Sequence, residues 1–184
     1  GLDLNTNDVS YAIWMSNVPG VGSTHVGTTR GWAFDFAPSP AGVGFPLRAV
    51  ADGTITLAAS TSGNGYHIVI HHGKASEPAT DYASRYLHLD NTVTNRIIYP
   101  VGTQGVPVRQ GQIIEYAGTS GNSTGVHLYF DAQGSLPRGS SEGVGIPIMT
   151  IPGLWFWSCY RPPIAGSVDA CPDIAPPPND ISLN

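Results

Sequence analysis

The sequence predicts an all-β fold with little helix. Three observations predict it. Glycine (23 residues) and proline (16 residues) recur along the whole chain, which breaks up any long helical pattern. Between them lie short runs that alternate in polarity or are rich in β-branched residues. Glycine-containing turns separate these runs at short intervals, which implies an antiparallel sheet or two packed sheets.

The elements follow in order. The stretch to about Gly22 is mixed, and Tyr11, Ile13, Trp14 and Met15 are read as covering one sheet edge. Phe45–Val50 leads through the turn Ala51-Asp52-Gly53 into Thr54–Ala58. Tyr66–His71 alternates Tyr/Ile/Ile against His/Val/His, and Tyr82–Leu89 continues the pattern. Pro107–Gln110, Ile113–Ala117 and Val126–Asp131 complete the strands. Beyond Asp131 the alternation weakens into loops rich in Gly, Ser and Pro. Trp155, Phe156 and Trp157 are expected to pin the C-terminal segment to the body, ahead of acting as a carbohydrate-stacking platform. Residues 1–174 are expected to form one domain, and 175–184, with three consecutive prolines, an extended tail or linker.

Composition narrows the function. The 184 residues suit one domain with a real core. Only 11% are charged, so Ser, Thr, Asn, Gln and Gly must cover the surface, as is common on exported proteins. The net charge is −5 and the eight basic residues are scattered, which argues against a nucleic-acid partner. No apolar run approaches the ~20 residues of a membrane span. Cys159 and Cys171 have eleven residues between them, including Pro162, Pro163 and Gly166. A disulfide there would add roughly 2–3 kcal/mol. It is favoured over a zinc pair, which lacks the short C-x-x-C spacing, and it implies an oxidising compartment.

Six histidines in a weakly charged chain are the most unusual feature: His25, His67, His71, His72, His88 and His127. Neutral imidazole is the commonest transition-metal ligand and a good general base near neutral pH. His67 and His71 share one face of their strand, and with His72 they are read as exposed or structural. The most specific segment runs Gly118-Thr-Ser-Gly-Asn-Ser-Thr-Gly-Val-His-Leu-Tyr-Phe-Asp131. A Gly/Ser/Thr-rich loop there leads into a strand whose residues 127 and 129 point to one face.

This segment resembles the closing motif of the lysostaphin-type and β-lytic zinc metalloendopeptidases, which cut bacterial cell-wall peptides. The resemblance extends over Thr24 to Asp131. Ala49–Ile55 is similar to the family's turn between core strands, Gly65–Gly73 to the strand that follows, Tyr86-Leu87-His88-Leu89 to its Tyr-x-His-Leu motif, and Val108–Ile113 to its Val-x-x-Gly-Gln turn. It implies a highly twisted antiparallel sheet with long loops walling a groove. It implies zinc as cofactor, with Asp35 as a ligand, His88 assisting the transition state, and His127 acting as general base or orienting the water. The N-terminal histidine ligand of the short-spaced branch would fall at Gly31. His25, ten residues before Asp35, fits the longer loop of the β-lytic branch instead.

One departure stands out. The second histidine of His-x-His, a ligand in that family, is Tyr129. A phenol with a pKa near ~10 is a poor zinc ligand unless the metal deprotonates it. The expectation is therefore an exported, catalytically impaired peptidase-like domain that binds peptidoglycan or another extracellular polymer. The alternatives are an active zinc endopeptidase cutting peptidoglycan cross-bridges or glycine-rich peptides with Tyr129 as an unusual ligand, and a structural extracellular module.

Overall fold

A computed structural model of the protein describes residues 32–39, 41–42, 44–74, 76, 81–92 and 97–146, the backbone of 12–17, and His25. Trp155, Phe156, Trp157, Cys159, Cys171 and the 175–184 tail lie outside the described residues, so the disulfide and the tail remain sequence expectations.

Ten strands are present among the described residues: β1 (Ala12–Asn17), β2 (Phe34–Ser39), β3 (Pro46–Arg48), β4 (Gly53–Thr61), β5 (Gly65–His71), β6 (Tyr82–Leu87), β7 (Val106–Val108), β8 (Ile113–Tyr116), β9 (Leu128–Gly134) and β10 (Val144–Ile146). No helix occurs among the described residues. One large sheet runs β1-β2-β9-β6-β5-β4-β7, with β10 also on β9, and β3 pairs with β8 in a small second sheet. Every pairing is antiparallel.

The seven expected strands are present, β1 and β2 are two further ones on the N-terminal side, and two differences lie at the C-terminal side. β9 continues past Asp131 to Gly134, and β10 follows it. Both were hidden because β9 is central. It is flanked on one edge by β6, and on the other by β2 and then β10. Its Asp131 and Gln133 are buried polar residues, so no simple apolar alternation marks them.

Alternation divides the large sheet into two faces. One carries Phe36, Ile68, Ile70, Tyr86, Leu128 and Phe130, and the β3–β8 sheet covers it with Leu47 and Ile114. Each such side chain, fully buried, stabilises the fold by roughly 1.5–3 kcal/mol. Tyr86 shows how the polar atom of a core aromatic is satisfied: its hydroxyl accepts the Val50 N–H at 3.0 Å. The opposite face is different. There Asp35, Tyr129 and Leu87 fall into one register across β2, β9 and β6. Arg85, Asp131, His67 and His71 lie on that same face, all buried.

His67 and His71 are thus structural, and neither is exposed. His67 donates Nδ1–H to its own strand's Gly65 carbonyl at 2.8 Å. The His71 Nδ1 lies 3.1 Å from Asp81. Burial lowers the pKa of both. His72, half-buried, has Nδ1 2.9 Å from the Asp52 carbonyl and Nε2 2.7 Å from the Ser84 hydroxyl. Burial holds it down to about 4.

Candidate functional site

The glycine- and serine-rich loop Gly118–Val126 is folded against β5 and the end of β6, and its composition follows from that close approach. A Cβ on Gly65 would sit 2.3 Å from the Ser120 carbonyl oxygen, and one on Gly121 would sit 2.2 Å from the Gly65 nitrogen. The Ser120 hydroxyl accepts the Tyr66 N–H at 2.9 Å and donates to the Leu89 carbonyl at 2.7 Å. Asn122 N–H donates to Gly63, and His127 N–H to Gly118. The loop therefore delivers His127 to a fixed position at the head of β9.

His88, just past the end of β6, has φ +62, a left-handed conformation that a non-glycine residue holds only under constraint. Three bonds supply it. His88 N–H donates to Asn64, its carbonyl accepts from Gly118, and its Nδ1 lies 2.9 Å from the Ser120 carbonyl. A carbonyl can only accept, so His88 carries its proton on Nδ1 when neutral. His127 is set the same way, with Nδ1 2.8 Å from the Gly125 carbonyl. The neutral rings thus leave their lone pairs on Nε2, the state a general base needs. Their centroids are 4.8 Å apart.

Asp35 pairs directly with Tyr129 across β2 and β9, so both face the site. Its carboxylate is flanked by two imidazoles. His25 Nε2 lies 3.3 Å from Oδ2, and His127 Nε2 lies 3.8 Å from Oδ1. The structure thereby brings together all five residues singled out in the sequence: His25, Asp35, His88, His127 and Tyr129. His25 is 2% exposed, its ring edge-on to Tyr129 at 5.3 Å. His88 is edge-on to the same phenol ring at 6.2 Å.

Tyr129 reaches from the site toward the pair beneath it. Its hydroxyl is directed to Asp131 Oδ2 at 3.4 Å. Asp131 in turn takes Arg85 in a two-pronged pair, Nε to Oδ1 at 2.7 Å and Nη2 to Oδ2 at 2.5 Å, and accepts from Gln133 at 2.7 Å. Arg85 and Asp131, each 1% exposed, are paired with one another and held by further hydrogen bonds. Sequence reasoning missed this buried pair; the only signal was a charged residue inside each of two otherwise apolar strands.

The zinc implied by the resemblance can be tested against these donors. Two of three fit in spacing: ligand atoms ~2.0–2.1 Å from a tetrahedral zinc stand about 3.3–3.4 Å apart, as His25 and Asp35 do. The third does not, since the phenol hydroxyl faces Asp131. Among the described residues no acceptor stands at the buried His25 Nδ1 to orient the ring as a ligand. Among the described residues no group of three His, Cys, Asp or Glu is placed to hold a metal ion. The complete three-ligand set does not fit.

A protein-family model described as peptidase family M23 matches residues 32–138, more than half of the chain. The chain belongs to peptidase family M23. The matched region contains Asp35, His88, His127 and Tyr129 and begins after His25. Among M23-type relatives, the peptidoglycan DD-endopeptidase ShyB of Vibrio cholerae is 32% identical over 89 residues, 48% of this chain and 18% of its own length. The DD-carboxypeptidase/endopeptidase Mpg of Neisseria meningitidis is 30% identical over 90 residues, 49% of this chain and 17% of its own. The chain thus matches less than a fifth of either relative. The catalytic domain of lysostaphin from Staphylococcus simulans superposes with a TM-score of 0.51 at 25% identity, covering 76% of this chain and 90% of that one. The M23 fold is therefore the lysostaphin-type antiparallel sheet that the motifs imply.

Proposed function

We propose that this chain is a catalytically impaired M23 domain, acting outside the cytoplasm, that binds peptidoglycan or another extracellular polymer. One observation carries the reading. Tyr129 occupies the strand position of the third ligand, and its hydroxyl is committed to Asp131 rather than to His25 and Asp35. The loss of a direct ligand should weaken metal binding by more than the ~10–100-fold typical of outer-shell changes. The peptidoglycan partner rests on the named activity of ShyB and on the family. Among the described residues no helix is long and apolar enough to cross a membrane.

A second reading, an active zinc endopeptidase, is favoured by the 3.3 Å spacing of His25 and Asp35 and by the retained pair His88 and His127. One experiment separates the two. The purified protein is analysed for bound metal before and after equilibration with excess zinc, then incubated with peptidoglycan sacculi and with glycine-rich peptides. The impaired-domain reading expects no stoichiometric zinc, co-sedimentation with sacculi, and no released peptide. Stoichiometric zinc with zinc-dependent cleavage would overturn it in favour of the enzyme.

A further inference from the structure

β8 carries an acid into the interior, away from the Asp35 cluster. Glu115 is fully buried, and its register partner on β3 is the apolar Leu47. Glu115 Oε1 accepts the N–H groups of Ile98 and Tyr99 at 2.8 and 3.0 Å. One oxygen thus fastens the segment 97–100, which leads toward β7, to β8. Oε2 is buried with no hydrogen-bond partner. Burial acts on the ionisation of this carboxyl, as do the N–H groups of Ile98, Tyr99 and Tyr116 and the Tyr66 hydroxyl. Among the described residues no charged side chain joins them. Arg48, next to Leu47 on β3, directs Nη1 to the Gly111 carbonyl at 2.7 Å.

Counting protons shows which form of the acid fits. The Tyr66 hydroxyl touches two oxygens, the Tyr99 carbonyl and Glu115 Oε1, the latter at 2.9 Å. A phenol has one proton to donate and a carbonyl has none. If Tyr66 donates to Tyr99, Glu115 must supply the proton of the second contact. If Tyr66 donates to Glu115, the Tyr99 carbonyl faces a bare hydroxyl oxygen. Both contacts are hydrogen bonds only when the acid carries a proton. Tyr66 keeps its own, because burial and the neighbouring Glu115 push its pKa up. Oε2 agrees, since a buried oxygen without a donor costs more in a carboxylate than in a neutral acid. Burial, the largest effect, raises the pKa of Glu115 despite its donors.

We propose that Glu115 is a proton-operated latch on the segment 97–100: with its proton the acid closes the contacts to Tyr66 and Tyr99, and its ionisation as pH rises loosens the segment. Ionised, Oε2 would be a buried charged oxygen without a donor, and water must displace the segment to reach it. The sign follows from linkage. A folded state that holds this proton more tightly than the unfolded chain is stabilised by it at low pH, and loses that stability as pH rises through the folded value. Tyr66 ties the latch to the neighbourhood of the site. Its N–H donates to Ser120 Oγ at 2.9 Å, and its carbonyl accepts the N–H of Leu89, next to His88. The latch does not depend on whether the Asp35 cluster holds zinc.

The test is an NMR titration of the full chain, labelled with carbon-13 at the glutamate carboxyls, between about pH 5 and 9. Hydrogen exchange of the Ile98 and Tyr99 amides is measured over the same range and expressed as protection relative to an unfolded peptide. The expected result is a Glu115 carboxyl that titrates inside this range, above the ordinary glutamate value. Protection of the two amides should fall by roughly tenfold across that titration, while Ile68 and Ile70 in β5 hold theirs. Glu115→Gln, a neutral mimic of the acid, should keep protection constant with pH. A Glu115 carboxyl that does not titrate in this range would overturn the proposal, and so would protection that is unchanged across the titration. An equal loss in the Gln variant would overturn it too, by tracing the loosening to another group. The Glu115 signal is assigned through its own backbone, so the wild-type titration decides even if the variant fails to fold.

Discussion

At the scale of single residues, the proposed function turns on Tyr129. Its backbone sits in register with Asp35, so a histidine there would start from the same Cβ position. We expect Tyr129→His to raise zinc affinity by well over tenfold, while Tyr129→Phe leaves it at the wild-type level; equilibrium dialysis against zinc reads both. Wild-type zinc binding as tight as that of the histidine variant would show that the phenol is a competent ligand. Beneath Tyr129, Asp131→Ala should cost about 3–5 kcal/mol, because Arg85 would keep its charge at 1% exposure without its buried, two-pronged partner. Urea denaturation checks this as a fall in midpoint at unchanged slope. A loss under about 1 kcal/mol would mean that water reaches Arg85 when its partner is removed.

At the scale of elements, the close pairing of the β4–β5 turn with the Gly118–Val126 loop positions His88 and His127. Gly65 combines φ +65 with a backbone contact that leaves no space for a Cβ. Gly65→Ala should therefore destabilise by more than the roughly 1–2 kcal/mol of the left-handed backbone alone. Gly63, two residues earlier, has nothing within 4 Å of an added Cβ, so Gly63→Ala should stay within about 0.5 kcal/mol of wild type. Thermal melts of the two variants compare them directly; equal losses would refute the close-approach account. Ser120 saturates both Tyr66 N–H and the Leu89 carbonyl, which explains a serine in that loop better than solubility does.

At the scale of the whole molecule, three histidines make stability depend on pH. Burial lowers the pKa of His67, His71 and His72, the last to about 4. The unfolded chain then binds more protons than the folded one between about pH 6.5 and those lower values. The stability from neutral histidines is complete above pH 6.5 and is lost as pH falls toward 4. Each contributes a slope of up to about 1.4 kcal/mol per pH unit. Glu115 works in the opposite sense. Burial raises its pKa, even with Oε1 accepting from Ile98 and Tyr99, so the folded state takes up a proton first as pH falls. With three groups against one, the melting temperature should fall steadily from pH 7 to pH 4.5. A flat profile over that range would mean that these histidines are hydrated in solution.

Much of this protein is determined by sequence alone. Alternation and glycine turns are local properties, so seven of the ten described strands can be read without a structure, and the resemblance of the motifs to those of the zinc endopeptidases implies that Asp35, His88, His127 and Tyr129 form one site. Other features depend on residues distant in the chain. Whether His25 meets Asp35 depends on how an irregular, glycine-rich loop closes, and no periodicity encodes that closure; the tertiary structure brings them to 3.3 Å. The direction of the Tyr129 hydroxyl was equally illegible. It follows from the partnership of Asp131 with Arg85, 46 positions away, which only the pairing of β6 with β9 creates. His67, read from its strand as exposed or structural, is buried on the face that β5 shares with Arg85 and Asp131. Local sequence sets which face a side chain takes, but what it meets on that face depends on strands that the chain brings alongside only when it folds.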